Sequence, residues 1–234
     1  MSNIRLITLD LDDTLWSVTP VILRAEKVLY QWMQETLPEV LEHYHREGLS
    51  AFRQQATQSR PELAKLPTTF RKQFLNHCFS QVGLQGAALN EHVEAAFTVF
   101  HKARNEIDFY PQTLPLLTTL KQDFTLIALS NGNADLHMVG LAGYFQAHFS
   151  AESTGKPKPD PTMFKAALAH SGTAPEQAIH VGDHPIEDIE AANSAGFHTI
   201  WFNQNNQNDA ASCSPSREIH QLEQLPGAIQ ELLD

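Results

Sequence analysis

Ile4 to Leu9 is a short, nearly unbroken apolar run that ends abruptly in carboxylates, a pattern that predicts a strand covered on both faces. Past Pro20 the period changes. Val21, Ile22, Ala25, Val28, Leu29 and Trp32 recur at helical spacing, and helix-like stretches continue to about Ala103 with little strand signal. From Pro111 onward strands and helices alternate. The pattern predicts a helix over Leu114–Lys121, strands over Thr125–Leu129 and Ala147–Ser150, and a helix over Pro161–His170. A strand over Ala178–Val181, a helix from about Ile186 to Ala195 and a strand over Thr199–Phe202 follow. Asp160 before Pro161 suits a helix N-cap, and Gly196 suits a helix stop. Strands that alternate with helices predict an α/β fold with a parallel, Rossmann-like sheet. The expected core is residues 1–16 plus 105–234, and residues 17–104 form a helical insertion that can act as a lid. Asn203 to Arg217, rich in Asn, Gln and Ser, reads as a solvated loop.

Composition narrows the partners. At 234 residues, 42% hydrophobic and 18% charged, the chain is globular and fits one large or two unequal domains. A net charge of −11 argues against a broad phosphate-tracking surface, so nucleic acid is not an expected partner. Cys78 and Cys213 lie far apart without zinc or redox spacing, which suits a reduced, cytoplasmic setting. No export signal is visible near Met1, and no apolar run approaches the ~18–20 residues that span a bilayer. A soluble protein without a membrane partner is expected; the oligomeric state is left open.

Chemistry concentrates where the predicted strands end, the place where open α/β sheets bind ligands. Asp10-Leu11-Asp12-Asp13-Thr14, Ser130-Asn131-Gly132, and Gly182-Asp183 followed by Asp188 each follow an apolar run. If those strands are neighbours, several carboxylates converge, which is costly without a cation. Oxygen ligands with no organised Cys or His favour Mg²⁺.

These motifs resemble those of the haloacid dehalogenase-like hydrolase superfamily: Asp10, Asp12 and Thr14 in Asp-x-Asp-x-Thr, then Ser130, then Lys158 in Lys156-Pro157-Lys158-Pro159, then Asp183 with Asp188, in the expected order. The resemblance implies Asp10 as a nucleophile that becomes an aspartyl phosphate and Asp12 as the general acid and base. It implies Ser130, the Asn131 backbone N–H and Lys158 as a phosphate clamp. Mg²⁺ would be held by Asp10, the Asp12 carbonyl, Asp183 and Asp188, the last either directly or through water. The insertion resembles the helical C1 cap of the superfamily. Pro20–Glu26, Ser130–Ala134 and Gly143–Phe145 are similar to bacterial phosphatases acting on flavin mononucleotide or a phosphorylated riboflavin precursor. A small phosphorylated metabolite is the implied substrate, with Arg24 as the cap cation to meet it.

Blander roles compete at several positions. Asp10 and Asp12 can cap a helix, Ser130 can be a turn residue, Asp188 an exposed helical acid and Arg24 half of a surface ion pair. Asp13 suits a cap, Trp16 suits packing under the entrance to the insertion, and His43 and His45, read as helical, suit solvent. His184-Pro185 replaces the small residue common after the fourth motif, and Lys156 belongs at the rim. Other activities also fit the motifs. A sugar phosphomutase shares the phosphorylated Asp, a haloacid dehalogenase needs no Asp12, and a non-catalytic relative would use the pocket for binding alone.

Overall fold

A computed structural model of the chain describes residues 3–59, 61, 65–206 and 214–234. Six strands, β1 (Leu6–Leu9), β2 (Thr125–Ser130), β3 (Ala147–Ser150), β4 (Ala178–Gly182), β5 (His198–Phe202) and β6 (Arg217–Ile219), form one sheet in the order β3-β2-β1-β4-β5-β6. Every neighbouring pair is parallel. Alternate residues serve opposite faces. Ile7, Leu9, Leu126, Ala128, Ile179 and Val181 join one buried cluster, while Leu6, Ile127, Leu129 and Ala178 join another with Phe164 and Ala167. Burial on both sides explains why these strands read as continuous apolar runs.

Between β1 and β2 the chain forms α1 (Val18–Thr36), a short 3₁₀ turn at Pro38–Glu42, α2 (Arg46–Ser59), α3 (Pro67–Gln81) and α4 (Gly86–Arg104). These helices bury a separate apolar cluster that includes Leu29, Met33, Phe74, Phe79, Ala96 and Phe100. The entering and leaving connections lie side by side: Trp16 bridges to Phe109, and Tyr110 N donates to Leu15 O at 3.0 Å. The chain then adds α5 (Thr113–Asp123), α6 (Ala151–Thr154), α7 (Thr162–Ser171), α8 (Ala191–Ser194) and α9 (Leu225–Leu233).

Three local readings change. The helix expected over Ile186–Ala195 is a π-helical turn, Pro185–Glu190, that passes into α8, because Ile189 N reaches back five residues to His184 O. The expected solvated loop narrows at both ends. Asn203 is buried and donates to Glu218 Oε1 at 2.7 Å, and Arg217 opens β6; residues 207–213, Cys213 among them, lie outside the described residues. His43 and His45 sit in the turn between the 3₁₀ segment and α2 rather than within a helix, and His45 Nδ1 accepts from Gly48 N. Among the described residues, no helix is long and apolar enough to cross a membrane.

Candidate active site

Register levels the three strand ends. Leu9 pairs with Ala128 and with Val181, so Asp10, Ser130 and Asp183 leave the sheet within two residues of a common line. Asp10 N still donates to Val181 O at 2.9 Å, which fixes the carboxylate at the C-terminal edge of β1. The order of the strands reverses here, because β2 and β4 lie on opposite sides of β1, and such switch points form ligand crevices.

Lys158 enters from the loop before α7, and its buried ammonium spends all three donors on Asp10 Oδ1 (2.7 Å), Leu129 O (2.8 Å) and Asp188 Oδ1 (2.5 Å). Lys156, by contrast, is exposed. Asn131 fixes the Lys158 backbone from both sides, its Nδ2 donating to Lys158 O at 2.9 Å and its Oδ1 accepting from Lys158 N at 2.7 Å. Ser130 Oγ accepts from Gly132 N at 2.9 Å, tightening the turn after β2.

Asp188 rides on the π-helical turn. Its Oδ2 accepts from His184 N at 3.0 Å, and its carboxyl packs so closely on Gly182 that a Cβ there would lie 2.3 Å from Asp188 Cγ. His184 itself caps the turn through Nδ1, which accepts from Ile186 N and Glu187 N. Thr14 Oγ1 donates to Asp183 Oδ1 at 3.3 Å and so links the first loop to the fourth motif. Asp10, Asp183 and Asp188 each present a carboxylate oxygen within 4.8 Å of the others. Three hard oxygen donors in that space fit a divalent cation such as Mg²⁺.

Asp12 faces a different set of partners. Trp16 Nε1 donates to its Oδ1 at 2.9 Å, and Arg104 Nη2 to its Oδ2 at 2.5 Å. Trp16 is fully buried, packs edge-on against Phe109 and also orients the acid, which goes beyond the packing role expected of it. Asp13 is in the left-handed region (φ 60°) and its Oδ1 accepts from Val18 N at 2.9 Å, capping the start of α1. Arg24 stands apart from the gathered carboxylates, with Nη1 3.7 Å from Asp108.

Electrostatics follow from burial. Burial pushes the Asp10 carboxyl well above its ordinary range, with Lys158 opposing and Asp188 and Asp183 adding to the rise. Asp12 is likewise raised by burial against the pull of Arg104. Asp183 is pushed up to about 7, first by burial and then by the Asp188 and Asp13 charges. For Asp188, burial is outweighed by Lys158 and His180, and its carboxyl is held below the ordinary range. Lys158 is pulled above the ordinary lysine range, because Asp10 and Asp188 overcome its desolvation. With all three carboxyls ionised the trio would carry more negative charge than one ammonium balances, so its raised carboxyls mark a site that a divalent cation would stabilise.

Comparison with known proteins now identifies the architecture. The sequence pattern of the haloacid dehalogenase-like hydrolases matches residues 4–196. The chain belongs to the haloacid dehalogenase-like hydrolase family. It is 30% identical over 233 residues to the 5-amino-6-(5-phospho-D-ribitylamino)uracil phosphatase YigB of Escherichia coli, covering 98% of each chain. It is 27% identical to a phosphoserine phosphatase of Thermus thermophilus, over 94% of this chain and 97% of that one. Among solved structures it superposes on a 2-haloacid dehalogenase from Pseudomonas syringae pv. Tomato with a TM-score of 0.92 and 36% identity, covering 97% of this chain and 99% of that one.

Two features of this haloacid dehalogenase-like hydrolase's site escaped the sequence. His180, fully buried on β4, lies 3.2 Å from Asp188 Oδ1 through Nε2 and 2.8 Å from Thr8 Oγ1 through Nδ1. Its only signal is a polar residue inside an apolar strand. Arg104 looks in sequence like an ordinary cation in the last turn of a helix. It is instead one of the most deeply buried charges in the molecule, at 1% exposure.

Proposed function

We propose that this chain hydrolyses the phosphomonoester of a small metabolite with the help of Mg²⁺, carrying the phosphoryl group transiently on Asp10. The observation that carries the reading is the pairing of two differently placed carboxylates: Asp10 in the oxygen-rich trio beside Lys158, and Asp12 turned away from it toward Arg104 and Trp16. One suits a nucleophile beside a cation, the other a proton carrier.

Lys158 holds Asp10 Oδ1, which leaves the second oxygen for attack on phosphorus. As that O–P bond forms, the bond to the leaving oxygen breaks, and Asp12 gives the departing alkoxide its proton. Asp12 then takes a proton from water, the resulting hydroxide attacks phosphorus, and the Asp10–phosphorus bond breaks to release inorganic phosphate. Both Asp12 oxygens already accept one hydrogen bond, yet each keeps a second lone pair for this work. Mg²⁺, when bound, would be held by Asp10, Asp183, Asp188 and the Asp12 backbone carbonyl and would neutralise charge on the phosphoryl oxygens. Ser130 and the Asn131 N–H serve the same oxygens, and Lys158 contributes charge more than free donors.

Residues 17–104 act as a cap over the core of residues 1–16 and 105–234. A cavity of about 530 Å³ lined by Thr68, His101, Asn133, Asp135 and His148 lies where the helices meet the core, beside the Asn133 loop rather than among the gathered carboxylates. Arg24, whose ion pair is long and whose Nε is buried without an acceptor, is assigned a polar contact from the cap. The full-length likeness to YigB supports a ribityl phosphate or flavin mononucleotide as the substrate class.

The high TM-score with a protein named a dehalogenase favours a second reading, halide displacement by Asp10. The presence of Asp12 favours the phosphatase reading over it, since a departing halide needs no proton. A phosphatase panel with Mg²⁺, including flavin mononucleotide and the ribitylaminouracil phosphate, tests the choice alongside chloride release from 2-chloropropionate. Metal-dependent phosphate release that vanishes in Asp10→Asn is the expected result. Chloride release without phosphate release would overturn the assignment.

A further inference from the structure

Arg104 closes the last turn of α4, at the point where the helical segment returns to the core. Its guanidinium offers one edge to two acceptors, Nε donating to Asn133 Oδ1 at 2.9 Å and Nη2 to Asp12 Oδ2 at 2.5 Å. The same turn of helix grips the loop after β2 twice more. His101 Nε2 lies 3.0 Å from Asn133 O, and Asn105 Oδ1 accepts from Asp135 N at 2.8 Å. Gly132 belongs to this contact, because a Cβ there would lie 2.2 Å from Asp12 Oδ2 and 3.1 Å from Arg104 Nη2. Arg104 Nη1 is buried without an acceptor, a cost that a side chain selected only for stability would avoid.

We propose that Arg104 is a positioning residue that holds the Asp12 carboxylate in line for proton transfer, and that it makes this alignment depend on the seating of α4 against the Asn133 loop. The inference rests on the general acid role of Asp12 and adds to it a residue from the helical segment. A planar guanidinium can hold Asp12 and Asn133 in one geometry through a shared edge; a lysine ammonium supplies charge without that fork. A misplacement of about 1 Å costs on the order of 100-fold in rate, so the grip matters most where proton transfer limits the reaction.

The test compares Arg104→Gln, Arg104→Lys and Asp12→Ala on p-nitrophenyl phosphate and on a primary alkyl phosphate, with Mg²⁺ saturating and folding checked by circular dichroism. Arg104→Gln should lower kcat on the alkyl ester by about 100-fold and on the aryl ester by less than about 10-fold, since only the poor leaving group needs the aligned acid. Arg104→Lys should fall between Arg104→Gln and the native protein on the alkyl ester alone. Equal losses on the two esters in Arg104→Gln, or full activity on both, would overturn the proposal. If Asp12→Ala itself shows no difference between esters, the acid assignment fails instead. Should Arg104→Gln not fold, Asn133→Ala removes the second anchor while keeping the guanidinium. It must then reproduce the ester-dependent loss, and equal losses there reject the proposal.

Discussion

Replacing Gly132 with alanine adds one methyl group where two functional groups already meet. Gly132 has no positive φ, so alanine carries no backbone penalty there, and any effect comes from the space the methyl occupies. The added carbon would sit 2.2 Å from Asp12 Oδ2, 3.1 Å from Arg104 Nη2 and 3.2 Å from Ser130 Oγ. Ordinary carbon–oxygen contact begins at about 3.4 Å, so Asp12 or the turn must yield by about 1 Å. The Asp12 carboxylate is pinned by Trp16 and Arg104, and the turn by the Gly132 N–H to Ser130 Oγ bond, so neither side gives way freely. A displacement of that size in a reacting group costs on the order of 100-fold, or about 2.7 kcal/mol in activation free energy. Overpacking of this kind destabilises the fold by about 1–3 kcal/mol, which leaves most molecules folded. Initial rates of phosphate release from an alkyl phosphate, with circular dichroism as the control for folding, measure the effect. A Gly132→Ala protein within threefold of native kcat/KM would show that Asp12 does not need its present position.

Lys158→Met should destabilise the metal-free protein by about 3–5 kcal/mol, because it leaves Asp10 and Asp188 buried without their shared cation; a loss under about 1 kcal/mol in urea unfolding would contradict this. In EDTA, Asp183 with its carboxyl at about 7 binds a proton more tightly when folded than at the ordinary value of 3.8, so its contribution to stability falls as pH rises between those values and levels off above. Asp183→Asn lacks that fall. Its Tm advantage over the native protein should therefore grow from pH 4 to 7, and parallel Tm curves would refute the assignment. Arg24→Gln should raise KM for the preferred phosphoester severalfold with kcat unchanged, the signature of binding shared by ground and transition states; an unaltered KM would return Arg24 to its pair with Asp108.

The strands and the first-loop carboxylates were legible because their physics is local. A strand buried on both faces needs an apolar run, and a run that stops at Asp10 or Asp183 marks its own end. Lys158 could be chosen over Lys156 from motif spacing; in the structure Lys158 is buried and Lys156 is exposed. The contacts of Arg104 were not legible, since nothing in a helix-terminal Arg tells which distant loop it will meet. His180 was hidden for the same reason, as its partner Asp188 comes from a turn whose π-helical winding depends on His184 and Pro185 rather than on periodicity. The strand at Arg217–Ile219 was missed because three residues give too little pattern to separate from a polar loop.

The central place of β1 in the sheet has a kinetic consequence. Leu6 finds its two ladder partners at Thr125 and Ala178, so β1 leaves the ribosome well ahead of both and must wait for more than a hundred further residues before either of its edges is covered. Loop closure over such spans slows folding, and the waiting apolar edges invite association with other nascent chains. Truncated chains ending before Ala178 would expose one flank of β1 permanently, and a larger aggregated fraction than that of the 234-residue chain expressed alongside would register that delay.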